Sequence, residues 1–135
     1  MIREQCSHVD AECRASALRF LGELKDADSA SLIASGLLDH EDTVRVAASL
    51  AAVDIGLKRA TPIFLVNLGS GEQGLRNTTH IALSRLWSTP DNAIEFTSAE
   101  QWDTFWEKNA ASIPDPLIPE KIKPLVEPGT RFYNE

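Results

Sequence analysis

The chain has 135 residues, of which 43% are hydrophobic and 24% are charged. This length corresponds to one domain that can bury a hydrophobic core without disulfides or metal ions. The formal net charge of −7 argues against nucleic acid as the main partner, because binding phosphate requires a concentrated basic surface.

The first residues of the chain and its cysteines bear on the cellular compartment of the protein. The segment MIREQCSHVD lacks the apolar region of a signal peptide, and no apolar run approaches the roughly 20 residues of a membrane-spanning helix. Cys6 and Cys13 are too few for a disulfide framework, so we expect both to be reduced, structural thiols. We therefore expect a soluble cytoplasmic protein with no membrane contact.

A helical pattern occurs three times along the chain. Arg14, Arg45 and Arg76 are separated by 31 residues each time. Small or apolar side chains dominate the positions one before and three, six, seven and ten after each arginine, which trace one face of an α-helix. In chain order these positions hold Cys13, Ala17, Phe20, Leu21 and Leu24; Val44, Ala48, Ala51, Ala52 and Ile55; Leu75, Thr79, Ala82, Leu83 and Leu86.

A second segment with helical spacing lies before the second and third of these helices, in SASLIASGLLDH and TPIFLVNLGSG. Pro62 falls near the start of its helix, where a missing N–H costs least. A repeated unit of two antiparallel helices with a 31-residue period predicts an all-α fold of the α-solenoid class.

The segments DAECRASALRFLGEL and EDTVRVAASLAAVDIG resemble HEAT repeats, in particular the short variety named after phycobilisome (bilin) lyases. The resemblance covers about residues 8 to 87. The third copy, EQGLRNTTHIALSRLW, departs from the pattern at Thr78, Thr79 and His80. The resemblance implies that the second helix of each unit, including the helix at 42–55, lines a concave surface.

An acid stands four residues before each repeated arginine. The pairs are Asp10 and Arg14, Glu41 and Arg45, and Glu72 and Arg76. We expect each pair to form along its own helix, and stacking to bring each arginine beside the acid of the next unit, as a structural ladder. The alternative is an anion site made by the row of arginines.

The helix at 42–55 is apolar nearly all round, and such a helix needs cover on more than one side. On the expected concave side, several positions outside the core register are also apolar. Contiguous apolar surface usually marks an interface, so we predict a partner-binding strip there; the alternative is that these side chains belong to the core. The predicted strip consists of Leu18, Arg19, Val46, Leu50, Val53, His80 and Ile81.

The last third of the chain begins with a helix signal. Ser98 and Gln101 have the spacing of a capping box, and Trp102, Phe105 and Trp106 then form an apolar stripe at helical spacing. We predict that the helix at 99–112 caps the solenoid and completes a domain at 1–112. An aromatic cage for a ligand is the alternative.

The tail at 113–135 holds five of the seven prolines, which forbids a regular helix and favours extended chain. Its apolar side chains make it atypical of a disordered segment. We expect it either to pack on the solenoid, with the strip as one place it could cover, or to be disordered. At the other end, residues 1–9 are too short for a first helix of the first unit. We expect either that the chain is a fragment of a longer repeat protein or that another molecule covers the exposed end of the helix at 10–24, and a homodimer through this uncapped end is a further hypothesis.

No arrangement typical of an enzyme is found. The segment GSGEQG lacks the lysine of a phosphate-binding loop, and His8, His40 and His80 are scattered. We predict no catalytic residues, no metal and no cofactor. The leading hypothesis is a non-catalytic scaffold or adaptor that binds a protein partner through its concave face. The alternative, implied by the resemblance alone, is a bilin-lyase-like or other modifying protein.

Overall fold

The fold is all-α. A computed structural model describes residues 2–126, which form seven α-helices, short 3-10 turns and no β-strand apart from an isolated bridge between Thr89 and Asn92. The prediction of an all-α protein is therefore confirmed. The helices are α1 (Ile2–Gln5), α2 (Ala11–Glu23), α3 (Ala30–Leu37), α4 (Asp42–Asp54), α5 (Thr61–Leu68), α6 (Gln73–Trp87) and α7 (Ala99–Asn109).

The helices pack in a regular order. Helix α2 lies against α4, and α4 lies against α6, while the shorter α3 and α5 contact each other and the helix that follows each of them. The first residues of α2, α4 and α6 are 31 residues apart, and so are those of α3 and α5. A 3-10 turn precedes each short helix, at Ala27–Ser29 and at Lys58–Ala60.

Helix α4 is the central helix and contacts α2, α3 and α6. This environment explains why its sequence is apolar nearly all round. Small side chains on α4 allow the neighbouring helices to approach it closely. Three of them, Ala48, Ala51 and Ala52, are completely buried. At the crossing with α2, a Cβ atom added to Gly22 would lie only 2.6 Å from the Cα atom of Ala51. The cover that α4 requires therefore comes mainly from the protein's own helices.

Helix α2 differs from the equivalent helices α4 and α6 in the exposure of apolar side chains on the side that faces away from α4. Phe20 is 45% exposed and Leu24 is 56% exposed, although their sequence positions match the buried Ala51 and Leu86 of the later helices. On this side α2 is contacted by α1, which is only four residues long. Arg3 of α1 is tied to the Asp26 carboxylate at 2.7 Å, and Cys6 is completely buried. Phe20 and Leu24 therefore lie on the helix face that is buried in the later helices, without being buried themselves.

The predicted ladder does not form: within residues 2–126, no ion pair joins Arg14, Arg45 or Arg76 to the acid four residues earlier or to the repeated acid of the next unit. Arg14 is buried and its guanidinium donates to both carboxylate oxygens of Asp39 at 3.0 Å. Arg45 donates to the side-chain oxygen of Asn67 at 2.8 Å. Two of the three acids serve the helix starts instead: Asp10 and Glu72 each accept from a backbone N–H two residues later, which is the role of an N-cap residue. The side chain of Glu41 makes no such bond.

A different contact is common to all three arginines. Arg14, Arg45 and Arg76 each donate to the backbone carbonyl six residues earlier, at His8, Asp39 and Ser70. The side chains of His8, Asp39 and Ser70 each accept a hydrogen bond from the backbone N–H group two residues later, at 3.0 Å in all three cases. The three turns before α2, α4 and α6 are thus built by equivalent hydrogen bonds.

Helix α7 begins with the predicted capping box. Ser98 accepts from the Gln101 N–H at 3.2 Å, and the Gln101 side chain accepts from the Ser98 N–H at 3.1 Å. Trp102 is completely buried. Phe105 packs edge-on against Trp87 at the end of α6, with ring centroids 5.0 Å apart. Phe105 also packs edge-on against Trp102 and Phe96, at 5.5 and 5.8 Å, as rings do in a core, and a cavity of about 430 Å³ lies beside Phe96 and Phe105.

The described part of the tail, residues 113–126, packs on the helices. The Leu117 N–H donates to the Arg59 carbonyl at 2.9 Å, and the Arg59 guanidinium binds the Asp115 carboxylate at 3.0 Å. Farther along, Lys121–Leu125 line a cavity together with Ser31 and Leu32 of α3. This part of the tail therefore lies along α5 and α3 and not over the predicted strip on α4 and α6. The prediction for residues 127–135 falls outside the described residues.

Candidate interaction surface

The structure separates the predicted strip into core and surface residues. Leu18 is completely buried, and its Cδ1 atom approaches α3 so closely that a Cβ atom on Gly36 would lie 2.6 Å from it. Because such a side chain cannot meet a partner, the prediction that Leu18 lies on the binding strip is wrong. Leu18 fills the space left by Gly36.

Arg19 lies at the edge of the surface and links two helices. Its guanidinium binds the Asp54 carboxylate at 3.3 Å, from α2 to the last residue of α4. Both side chains are about one third exposed, so the ion pair contributes little to stability. Arg19 is placed where it could contact a molecule lying across α2 and α4.

Four predicted residues lie on α4 and α6, and of these only Leu50 and Ile81 occupy equivalent places on the two helices. Val46, Leu50 and Val53 on α4 are half-buried, and Val53 packs against the core. Ile81 on α6, which stands 31 residues after Leu50, is 53% exposed. These residues form the part of the predicted strip that keeps apolar surface in contact with solvent.

His80 is half-buried on α6 beside Ile81. Its Nδ1 atom is buried and has no hydrogen-bond partner among residues 2–126. Burial lowers the pKa of His80 below its ordinary value of 6.5, because desolvation disfavours the charged imidazolium. The imidazole is therefore neutral at pH 7.

A cleft of about 420 Å³ opens next to Ile81, between α6 and the segment that leads to α7. Its other walls include Ser84 and Arg85 from α6 and Glu95 and Phe96 from the connecting segment. The predicted site residues did not include Arg85, Glu95 or Phe96. Glu95 and Phe96 were missed because they follow the repeats and belong to no helix. The alternation of apolar and polar residues in IEFT, residues 94–97, is the signal that could have identified this wall.

A second groove, of about 340 Å³, lies beside α1 and α2 and is lined by Cys13, Ser16, Phe20 and neighbouring residues. Cys6 is enclosed by the core, and its burial raises the pKa of its thiol to about 11. Among residues 2–126, no group of three or more histidine, cysteine or acidic side chains is placed to hold a metal ion.

Comparison with known protein families, with curated proteins and with solved structures finds no match to this chain. The resemblance to HEAT repeats rests on the residues of the chain itself. Within residues 2–126, no helix has both the length and the apolar character that crossing a bilayer requires.

Proposed function

We propose that this chain is an α-solenoid of HEAT-like helix pairs. The proposal is supported by the 31-residue spacing of α2, α4 and α6 and of α3 and α5. It is also supported by the equivalent hydrogen bonds from Arg14, Arg45 and Arg76 to the carbonyl six residues earlier. In this arrangement α7 caps the last unit, and residues 113–126 run back along the short helices.

The proposed function is that of a non-catalytic scaffold, which binds a protein partner through the surface of α4 and α6. The observation that carries this proposal is that Ile81 is exposed on α6, while Val46 and Leu50 are only half-buried on α4, which packs against α6. Leu50 and Ile81 occupy equivalent places on these two helices, and apolar surface that stays exposed typically binds another protein. Arg19 and His80 supply polar groups at its edge.

The experiment is affinity capture from the native host with the wild-type chain and with Leu50→Asp. A carboxylate at the centre of an apolar interface would be desolvated without a partner, so Leu50→Asp should lose the proteins that the wild type retains. The matched control is Thr43→Asp, which adds an acid to the exposed first turn of α4, where the helix dipole favours it. Retention of every partner by a folded Leu50→Asp variant would contradict the proposal.

A homodimer through the end formed by α1 and α2 stays a proposal of its own. It is supported by the apolar groove there and by the 45% exposure of Phe20. Light scattering of the wild type and of Phe20→Asp over a range of concentrations tests it, and a wild type that is monomeric throughout would contradict it.

We propose a cytoplasmic setting, which agrees with two free thiols. The alternative of a bilin-lyase-like modifying protein gains no support from Cys6, because a thiol with a pKa of about 11 is not a nucleophile at neutral pH.

A further inference from the structure

The segment between α6 and α7 has the burial pattern of extended chain. Ile94 is buried, Glu95 is exposed, Phe96 is partly buried against the Trp102 ring at 4.8 Å, and Thr97 is exposed. Burial that alternates at every residue is the period of a β-strand. These residues form one wall of the cleft beside Ile81.

The backbone of this segment has unused hydrogen-bonding groups. The Ile94 N–H donates to the Ser88 hydroxyl at 2.8 Å, and the Thr97 N–H donates to the Gln101 side chain at 2.9 Å. Within residues 2–126, the N–H and C=O groups of Glu95 have no protein partner, and neither do those of Phe96; of the two residues, Glu95 is the exposed one. In extended chain the polar groups of neighbouring residues face opposite ways. The Glu95 groups therefore face away from Ser88, as the free edge of a strand does.

The opposite wall of the cleft adds an apolar contact and a charge. Ile81 is 53% exposed, and Arg85 on the next turn of α6 is exposed with no ion-pair partner among the described residues. The cleft thus combines an apolar floor between Ile81 and Phe96, one available cation, and an unpaired N–H and C=O on the same residue.

We propose that this cleft binds an extended peptide segment of the partner, which pairs with the backbone of Glu95 as an added β-strand. One apolar side chain of the peptide lies between Ile81 and Phe96, and a carboxylate of the peptide pairs with Arg85. A helical partner would cover the Glu95 backbone without satisfying it, whereas an extended one supplies both hydrogen bonds. This inference rests on the proposed function, since it names the chemistry of the partner at the α6 end of the same surface.

The probe is a displayed library of random peptides of about twelve residues, selected on the full chain. Peptides that combine an apolar residue with a nearby acid should be enriched, and an enriched peptide is then synthesised and titrated by fluorescence anisotropy. Glu95→Pro removes the N–H donor, so affinity should fall about tenfold. Glu95→Ala keeps the N–H and is the matched control, with an expected change of less than about threefold. Arg85→Glu should also weaken binding.

Methylation of the peptide gives a test that does not depend on how a protein variant folds. N-methyl groups are placed on successive peptide amides, and each peptide is titrated against the wild-type chain. In a strand that pairs with Glu95 alone, one peptide N–H donates to the Glu95 carbonyl and the amides on either side of it point away, so affinity should fall at one position and not at its two neighbours. Enrichment of no peptide, equal affinities for Glu95→Pro and Glu95→Ala, or a methylation profile without one such position would each overturn the proposal.

The two proposals can fail separately. If Leu50→Asp loses the captured partner while the peptide experiments fail, the surface of α4 and α6 stands and the added strand falls. If peptides bind at Glu95 while Leu50→Asp keeps every partner, the cleft stands and the proposed surface on α4 falls.

Discussion

Arg14 is 1% exposed and uses all three of its guanidinium nitrogens. Two of them bind the Asp39 carboxylate, and the third donates to the carbonyls of His8 and Val9 at 2.8 and 2.7 Å. Asp39 is also buried and in addition accepts from the Glu41 N–H. A buried ion pair with this many hydrogen bonds ties α2 to the turn before α4, and removal of one partner leaves the other charge without compensation.

Arg14→Met should lower the free energy of unfolding by about 3–5 kcal/mol, because the Asp39 carboxylate stays buried without its cation. Urea denaturation measures the change. The double variant Arg14→Met with Asp39→Leu removes both charges and should recover part of the loss. A double variant that is less stable than the single one would contradict this account.

His80 should make stability depend on pH. Burial lowers the pKa of His80 in the folded state below its ordinary value of 6.5, so the unfolded chain takes up a proton first as the pH falls. Folding free energy that is present above about pH 6.5 is therefore lost progressively below it. Replacement by glutamine, His80→Gln, should reduce the difference in unfolding free energy between about pH 7.5 and pH 5. An unchanged difference would show that this imidazole does not contribute.

At the scale of the elements, α7 shows how local signals determine a helix. The capping box joins Ser98 and Gln101 through bonds in both directions, and the stripe of Trp102, Phe105 and Trp106 faces Trp87, Phe96 and the core. Both features depend on residues at most four apart, so the sequence alone contains them.

Ser98→Ala should destabilise the protein by about 1 kcal/mol, because the Gln101 N–H loses its acceptor. Thermal denaturation measures the effect. Thr104→Ala, on the exposed side of the same helix, is the control and should change stability by less than about 0.5 kcal/mol. Equal effects of the two substitutions would contradict a capping role.

Features that depend on residues close together in the sequence could be predicted from it, whereas features that depend on the packing of distant residues could not. The helices and their 31-residue spacing follow from periodicity and from turns. The burial of Leu18 could not be predicted, because it depends on how closely α2 approaches Gly36 of α3. The pairing of Arg14 with Asp39 was missed for a related reason: 25 residues separate them, and the nearer Asp10 was already used as a helix cap.

The cleft beside Ile81 was missed because half of its wall is not helical. Glu95 and Phe96 lie between two helices, and nothing in helical periodicity indicates that this segment turns back toward α6. Only the alternation of Ile94, Glu95, Phe96 and Thr97 carries a signal, and four residues are few for a strand pattern.

At the scale of the whole molecule, residues 113–126 join parts that are distant in sequence. Arg59 donates to the Asp115 carbonyl at 2.8 Å and accepts from the Leu117 N–H, while Leu125 lies near Ser7 and Leu32. Apolar side chains of this segment, including Ile113, Leu117, Ile122 and Leu125, pack against the core. The segment therefore connects the turn after α1, helix α3 and the turn before α5, although it forms no α-helix of its own.

Leu117→Ala should lower the free energy of unfolding by about 1–2 kcal/mol, which is less than for a completely buried leucine. The neighbouring Ile118 is 40% exposed, so Ile118→Ala is the matched control and should cost less. Chemical denaturation compares the two. Equal losses would contradict the packing of Leu117 against the helices.

The central claim is that the apolar surface of α4 and α6 binds a protein partner. The most direct measurement is the dissociation constant of the captured, purified partner for two variants, Ile81→Asp and Val66→Asp. These residues are 53% and 47% exposed and lie on α6 and α5, so the substitutions change similar amounts of surface. We predict that Ile81→Asp weakens binding by about tenfold or more while Val66→Asp leaves it unchanged. Equal affinities for the two variants would contradict the claim.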